Sequence, residues 1–202
     1  MIKPTYHKDA VKVLKKETCY QGFFRMSKLT LQHKLFNGQW GDVITRELFE
    51  RGHAAAVLLY DPKKDVIVLT EQFRPGALDE MSPWQYEIVA GMIDQGQTAE
   101  AVAVRETLEE SGTNIQQEQL IPICQYLSSS GGTNEVLHVF MAEVDSTPID
   151  GVHGLDHESE DIRICKVSSQ EAFAAVRDGT IANAATIIAL QWLELRLLKA
   201  QS

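Results

Sequence analysis

The chain has 202 residues, enough for one full domain and a small additional one. Hydrophobic residues make up 44% and charged residues 23% of the sequence, the composition of an ordinary soluble globular protein. A net charge of -9 argues against a general nucleic-acid binder, which needs clustered Lys and Arg, and no apolar run approaches the roughly 18 residues of a membrane span.

The N-terminal residues and the cysteines indicate the cellular compartment of the protein. Residues 1–10 are polar and lack the apolar stretch of a signal peptide, so we expect a cytoplasmic protein. Cys19, Cys124 and Cys165 are an odd number without metal-ligand spacing, and we expect them to be reduced thiols in the core.

Residues 11–50 are predicted to form strands joined by tight turns. Gln21-Gly22 and Asn37-Gly38 are turn dipeptides, and the second is a strong hairpin signal. The segment is too short for a large core of its own, so we expect it to pack on something else, with a second subunit as one candidate. The pattern changes near Gly52.

The rest of the chain alternates between strands and helices. Strands are predicted at residues 54–60, 66–69, 84–90, 121–127, 136–144 and 162–167, and helices at residues 98–111, 169–177 and 184–198. Gly112 should close the first helix as a left-handed C-terminal cap. This order predicts an α/β fold with a mixed sheet and helices on its faces.

The helix at residues 98–111 carries an unusual cluster of acidic residues. Glu109 and Glu110 follow Glu106 at i+3 and i+4, so the three carboxylates gather on one side. The opposite, apolar side is assigned to Ala101, Val104 and Leu108. Like charges at these spacings repel by a few tenths of a kcal/mol each, and Mg²⁺, which prefers carboxylate oxygens, would offset that repulsion. The alternative is a solvated acidic face.

Spacing around this helix resembles the Nudix box. Gly91 is followed fourteen residues later by Arg105-Glu106, then by Glu109-Glu110 and Gly112. Gln97 departs from the motif, which has a glutamate there, as do Thr107 and Thr113, where aliphatic or small residues are usual.

The resemblance to the branch of the Nudix family that acts on ADP-ribose covers nearly the whole chain. Segments that carry it are Leu35-Phe36-Asn37-Gly38, Glu50-Arg51-Gly52-His53, Glu71-Gln72-Phe73-Arg74, Glu87-Ile88-Val89-Ala90-Gly91, residues 130–135, residues 158–161, residues 183–186 and residues 190–193. It implies an α/β/α sandwich at residues 53–202, preceded at residues 1–52 by a small β-rich dimerisation domain.

The resemblance also implies a metal site. Glu106 and Glu110 would bind Mg²⁺, with Mn²⁺ able to substitute, and the backbone carbonyl of Ala90 would be a further ligand. Glu109 would be another ligand or would act from just behind the ligands. Arg105 would brace the glutamates by ion pairing, and we count Arg105 and Glu109 among the catalytic residues.

Residues 150–161 are rich in Gly, His, Asp and Glu and are predicted to form a mobile loop. A carboxylate on such a loop could close over the bound substrate and accept a proton from the attacking water. The resemblance assigns this role to Glu158 and a metal contact to Glu160, with the choice of base between the two open. The alternative is an acidic surface loop.

Candidate substrate-binding residues come from several segments. Arg74 would bind phosphate bidentately, backbone amides at Gly132 would approach the substrate, and Glu135 would contact the terminal ribose. Phe23 would stack on the adenine with Arg46 beside it, and simple hydrophobic packing of Phe23 is an equal alternative.

The sequence therefore predicts a Mg²⁺-dependent hydrolase that cleaves the pyrophosphate bond of ADP-ribose to AMP and ribose 5-phosphate. We expect a homodimer that binds a small nucleoside diphosphate sugar and neither nucleic acid nor a membrane. One alternative is a Nudix pyrophosphatase for GDP-mannose or another nucleotide sugar, which would share the same box. Another is a non-catalytic nucleotide-binding sensor, for which Gln97 is the one sequence argument.

Overall fold

The chain divides into two compact units. A computed structural model of the protein describes residues 1–155, 157 and 159–200. The N-terminal unit contains Met1–Gly52 and Leu127–Glu135, and the larger unit contains His53–Tyr126 and Val136–Ser202.

Three antiparallel strands build the N-terminal unit: β1 (Val11–Gln21), β2 (Arg25–His33) and β3 (Ile44–Glu50), in the order β1-β2-β3. The Asn37-Gly38 turn lies between β2 and β3. Gly38 has φ +85°, and a bridge between Lys34 and Trp40 extends the ladder into the turn. The predicted hairpin is confirmed, because this left-handed backbone conformation favours glycine.

An eight-stranded mixed sheet forms the centre of the larger unit. Its order is β10-β11-β5-β4-β9-β8, with β6 paired to β5 and β7 paired to β4. The strands are β4 (His53–Asp61), β5 (Val66–Phe73), β6 (Trp84–Glu87), β7 (Val89–Ile93), β8 (Ile121–Leu127), β9 (Val136–Glu143), β10 (Val152–His153) and β11 (Ile162–Ser168). Strands β4 and β9 run parallel, whereas β4 and β5 are antiparallel, so the predicted mixed sheet is confirmed.

Three helices are found where the sequence predicts them: α1 (Ala99–Ser111), α2 (Ser169–Asp178) and α3 (Ala184–Ala200). The Thr98 side chain caps α1 by accepting a hydrogen bond from the Ala101 N–H, and Gly112 ends that helix at φ 65° as predicted. Within the described residues, no helix is long and apolar enough to cross a membrane.

The core lies on both faces of the sheet, as the alternation along β4 shows. Ala56 and Leu58 belong to a cluster that includes residues of α2 and α3, whereas Ala55, Val57 and Leu59 belong to a cluster that includes residues of α1. Successive side chains of a strand point to opposite faces, so helices cover both sides. The expected α/β/α sandwich is confirmed.

One predicted strand is two strands. Residues 84–90 read as a continuous run, but β6 pairs with β5 and ends at Glu87, and β7 pairs with β4 from Val89 onward. Between them, the Ile88 N–H donates to the Thr186 hydroxyl at 3.1 Å instead of to a neighbouring strand. An apolar pattern cannot reveal this exchange of partners.

The predicted apolar face of α1 is wrong. The buried residues are Ala99, Val102, Ala103, Thr107, Glu110 and Ser111, while Leu108 is 52% exposed. Thr107 and Ser111 can be buried because their hydroxyls donate to the carbonyls of Ala103 and Thr107, four residues earlier. The buried face of α1 therefore includes small polar side chains, whereas the sequence pattern assigns the larger, apolar Val104 and Leu108 to the core.

The predicted burial of the cysteines is wrong for two of the three, whereas Cys165 packs against the core. All three are free thiols, but Cys19 and Cys124 are exposed and Cys165 is half-buried. Cys19 and Cys124 lie on β1 and β8, the terminal strands of their sheets, where solvent reaches the side chains.

A half-buried ionic cluster joins the strands of the N-terminal unit. Glu50 on β3 accepts hydrogen bonds from Arg25, Ser27 and Lys16, and only about a tenth of its side chain is exposed. The Arg25 guanidinium, helped by Ser27 and Lys16, lowers the pKa of Glu50 from 4.5 to about 2.

We predict that Glu50→Gln destabilises the protein at neutral pH by roughly 1 to 3 kcal/mol, the cost of losing hydrogen bonds to a charged group. Because the folded pKa lies below the unfolded one, the stabilisation is complete above pH 4.5 and disappears as the pH falls toward 2. Urea unfolding of wild type and variant at pH 7 and pH 3 should show a smaller difference at pH 3. Glu47→Gln, at an exposed position of the same strand, is the control, and an equal difference at both pH values would contradict the assignment.

Candidate active site

Close contact between β7 and α1 creates the acidic site. Gly91 lies on β7, which packs against α1. A Cβ atom at this position would collide with the carboxyl group of Glu106. A side chain at residue 91 would therefore displace the Glu106 carboxylate from this position, and the φ of Gly91 is outside the left-handed region.

Glu110 is the most deeply buried carboxylate of this helix, at 2% exposure. Its Oε2 accepts a hydrogen bond from the backbone N–H of Ala90 at 3.2 Å. Burial is the main cause that raises the pKa of Glu110 to about 8, and the nearby charges of Glu106 and Glu160 act in the same direction. Keeping this group ionised at neutral pH requires additional positive charge nearby.

Arg105 forms ion pairs with the two neighbouring glutamates and orders their carboxylates. Its Nη2 lies 2.8 Å from Glu106 Oε1, and its Nη1 lies 2.9 Å from Glu109 Oε2. A further, longer hydrogen bond runs to the Met92 carbonyl at 3.5 Å. One guanidinium group therefore holds two glutamates of adjacent turns.

The donor set around Glu106 and Glu110 suits a hard divalent cation. Carboxylate oxygens are the ligands that Mg²⁺ and similar ions prefer, and a cation would neutralise the buried like charges. In the described part of the chain, no group of three or more His, Cys, Asp or Glu side chains is already arranged to hold a metal ion. The fit rests on the chemistry of the donors and on the burial of Glu110.

The segment after β10 carries Glu160 toward the same helix. Glu160 Oε2 accepts from the Leu155 N–H at 3.1 Å, and the Gly154 N–H lies 3.4 Å from the carbonyl of Glu109. Gly154 has φ +106°, and a Cβ atom there would lie 2.7 Å from that of Glu160. Glu158, the expected base, lies outside the described residues.

Arg74 approaches the site from the end of β5. Its Nε donates to Glu87 Oε2 at 2.7 Å, and its charge lowers the pKa of Glu110 against the effect of burial. The larger unit contains the expected metal-site and phosphate-binding residues that the structure describes, namely Arg74, Ala90, Arg105, Glu106, Glu109, Glu110 and Glu160.

Four expected substrate-binding residues belong to the N-terminal unit. Phe23 is 85% exposed and makes an edge-to-face contact with Phe24, with ring centres 4.8 Å apart. Arg46 is exposed and donates to the Thr45 carbonyl. The Gly132 N–H is already used in a turn, where it donates to the Ser129 carbonyl at 3.0 Å.

Glu135 differs from the other three because it is buried. Its exposed fraction is 5%, and its Oε1 forms an ion pair with Arg51. Any contact of Glu135 with a ligand therefore has to leave room for Arg51.

Gln97, the departure from the box, has a local structural role. Its Oε1 accepts from the Asp94 N–H at 3.3 Å, and its own N–H donates to the Asp94 carbonyl at 3.1 Å. These bonds close the turn that leads into α1, a role that an amide performs without adding negative charge.

Glu87 and Asn183 lie in segments that carry the resemblance but were assigned no role in the site, although Glu87 contacts both Arg74 and Asn183. Asn183 Nδ2 donates to Glu87 Oε1 at 2.7 Å. The available signals were a carboxylate within an apolar strand and an asparagine directly before a helix, and neither pattern shows that the two side chains meet.

The comparison with protein families agrees with this geometry. Residues 50–190 match the model of the NUDIX domain. A solved structure described as an ADP compounds hydrolase superposes with a TM-score of 0.67, at 18% identity, over 95% of this chain and 96% of that chain, which supports the fold.

Several proteins of known activity are similar over nearly their full length. The ADP-ribose pyrophosphatase of Escherichia coli K12 is 45% identical over 201 residues, covering 96% of this chain and 95% of that protein. The ADP-ribose pyrophosphatase of Haemophilus influenzae is 40% identical over 97% of this chain and 91% of that protein. The GDP-mannose pyrophosphatase of Cronobacter sakazakii is 30% identical over 92% and 96%.

The chain therefore belongs to the Nudix family of hydrolases. Members of this family generally need a divalent metal ion, in agreement with the acidic site on α1.

Proposed function

We propose that the protein hydrolyses the pyrophosphate bond of ADP-ribose, giving AMP and ribose 5-phosphate, in a Mg²⁺-dependent reaction. The observation that carries this proposal is the 45% identity to an ADP-ribose pyrophosphatase over nearly the whole of both chains. Similarity to a GDP-mannose pyrophosphatase falls to 30%, which makes GDP-mannose the second candidate substrate.

Glu106 and Glu110 are the proposed Mg²⁺ ligands, with Glu109, Glu160 and the carbonyl of Ala90 completing the set and Mn²⁺ able to replace Mg²⁺. When bound, the ion neutralises charge on the phosphates that Glu106 and Glu110 would otherwise repel. Arg105 keeps Glu106 and Glu109 oriented through its two ion pairs.

Groups of the protein supply the remaining chemistry. Arg74 binds a phosphate oxygen through its guanidinium group. Glu158 accepts the proton of the attacking water, with Glu160 as the alternative base. The carboxylate that is not the base remains available for metal binding.

Substrate recognition is assigned to the N-terminal unit. Phe23 stacks on the adenine beside Arg46, and its 85% exposure leaves the ring face accessible. Glu135 contacts the terminal ribose through Oε2, the oxygen that Arg51 does not hold, and the backbone at Gly132 approaches the substrate.

We further propose that the protein is a cytoplasmic homodimer that associates through residues 1–52. Strand β1 is at the edge of its sheet and exposes Val11, Val13, Leu14 and Tyr20. An edge strand with apolar side chains is a template for pairing with another chain. The three free thiols are typical of a reducing compartment.

We predict that purified protein releases AMP and ribose 5-phosphate from ADP-ribose with Mg²⁺ and loses this activity in EDTA. Products separated by chromatography, with GDP-mannose and other nucleotide sugars assayed in parallel, test the proposal. Faster hydrolysis of another nucleotide sugar would overturn the substrate. Binding of ADP-ribose without turnover would instead favour the sensor.

Replacing either proposed ligand should abolish turnover while leaving the fold intact. Glu106→Gln and Glu110→Gln are expected to lower kcat at least about 100-fold, because each removes a carboxylate that would hold the ion needed to stabilise charge on the reacting phosphates. Circular dichroism should remain that of wild type. Glu100→Gln, at an exposed position of the same helix, is the matched control, and a ligand variant as active as this control would refute the metal assignment.

A charge on the β1 edge should separate the dimer. Val13 is 60% exposed, and Val13→Lys places a positive charge where a second chain would pair. Light scattering after size-exclusion chromatography is expected to show a dimer for wild type and a monomer for the variant. Val152→Lys, at a site 62% exposed in the larger unit, is the control and should remain dimeric. A monomeric wild type would disprove the homodimer.

A further inference from the structure

Glu87 is a buried carboxylate with a specific partner for each oxygen. It is 5% exposed, its Oε2 accepts from Arg74 Nε at 2.7 Å, and its Oε1 accepts from Asn183 Nδ2 at 2.7 Å. Burying a carboxylate is costly unless such donors replace the lost water. Both donors therefore stabilise one orientation of the Glu87 side chain.

The orientation of the Asn183 amide is determined by its other contacts. Its Oδ1 accepts from the N–H and the hydroxyl of Thr186, each at 3.2 Å. A backbone N–H can only donate, so the oxygen of the amide must face Thr186 and its nitrogen must face Glu87. Asn183 thus caps the start of α3 and binds Glu87 with the same side chain.

Thr186 links this pair to the sheet. It is fully buried, and its hydroxyl also accepts from the Ile88 N–H at the break between β6 and β7. The Thr70 hydroxyl donates to the carbonyl of Glu87 at 3.2 Å. The backbone of Glu87 is therefore held by the buried Thr70, and its side chain is held by the half-buried Asn183 and by Arg74.

Arg74 is the accessible end of this network. Its side chain is 42% exposed, and the ion pair with Glu87 uses Nε, so it does not depend on the two terminal nitrogens. A free arginine loses considerable rotamer entropy when it binds a ligand, and a side chain already held in place loses less. Arg74 is also close enough to Glu110 to lower the pKa of that group.

We propose that Asn183 and Glu87 are positioning residues that hold the Arg74 guanidinium group for the phosphates of the substrate. The inference rests on the proposed function, because the diphosphate is taken to be the ligand of Arg74. The new point is that Asn183, which caps the start of α3, contributes to substrate affinity through Glu87 without touching the substrate.

Asn183→Asp separates positioning from helix capping. Aspartate caps a helix as well as asparagine does, but it loses the donor to Glu87 and places a second carboxylate against it. We expect KM for the substrate to rise about 10-fold or more, since Arg74 binds a phosphate already charged in the ground state, with kcat changed less than about 3-fold. Asn114→Asp, at an exposed site, controls for the added charge and should keep the wild-type KM.

Three further variants test whether the effect passes through the network. Asn183→Ser keeps a capping oxygen, adds no charge and should also raise KM, which covers the case in which the aspartate variant does not fold. The swap Glu87→Gln with Asn183→Asp restores a donor at residue 87 facing an acceptor at residue 183, and should recover at least part of the lost affinity. In an Arg74→Ala background, Asn183→Ser should have no additional effect on KM.

A wild-type KM in both single variants at Asn183 would overturn the inference. A lower melting temperature with an unchanged KM would also overturn it, because that result would show that Asn183 only caps the helix. If wild type hydrolyses no nucleoside diphosphate sugar, the proposed function fails. Calorimetric titration with ADP then tests the network separately, with weaker ADP binding by Asn183→Ser expected and unchanged binding counting against it.

Discussion

The burial of the Glu110 carboxylate beside Glu106 is the interaction on which the site depends. Two negative groups on adjacent turns of one helix repel each other, and removal of water from one of them increases the cost. The fold offsets this cost with the Ala90 N–H and with arginines on two sides, Arg105 and Arg74. The remaining imbalance supports the proposed binding of a divalent cation at this site.

The sheet places these offsetting groups by changing the partner of one segment. Residues of β6 pair with β5, which ends next to Arg74, whereas residues of β7 pair with β4 and present Ala90 and Gly91 to α1. A single extended strand would bring to α1 either Arg74 or the pair Ala90 and Gly91, but not both. The break at Ile88 is stabilised by α3 through Thr186, so helices on both faces of the sheet contribute to the same acidic site.

Much of this arrangement could be predicted from the sequence. The positions of α1, Gly112 and the strands followed from periodicity and turn residues, and the spacing of Gly91, Arg105 and Glu110 indicated the family. Predictions failed where tertiary contacts override local pattern. The apolar pattern chose Leu108 for the core, but Leu108 is exposed, and the buried Thr107 satisfies its hydroxyl group by donating to its own helix. The contact between Glu87 and Asn183 joins residues 96 positions apart, which no local pattern reports.

The small side chains on the buried face of α1 have a consequence for how such a sequence can diverge. The helix α1 lies close to the sheet because Ala103, Thr107 and Ser111 have small side chains, and the same helix carries the carboxylates. A larger residue at any of these positions would lift the helix and move every glutamate with it, since packed interiors have no spare volume. A change of side-chain size at these positions would therefore affect the reaction itself, although none of the three side chains is assigned a contact with metal or substrate.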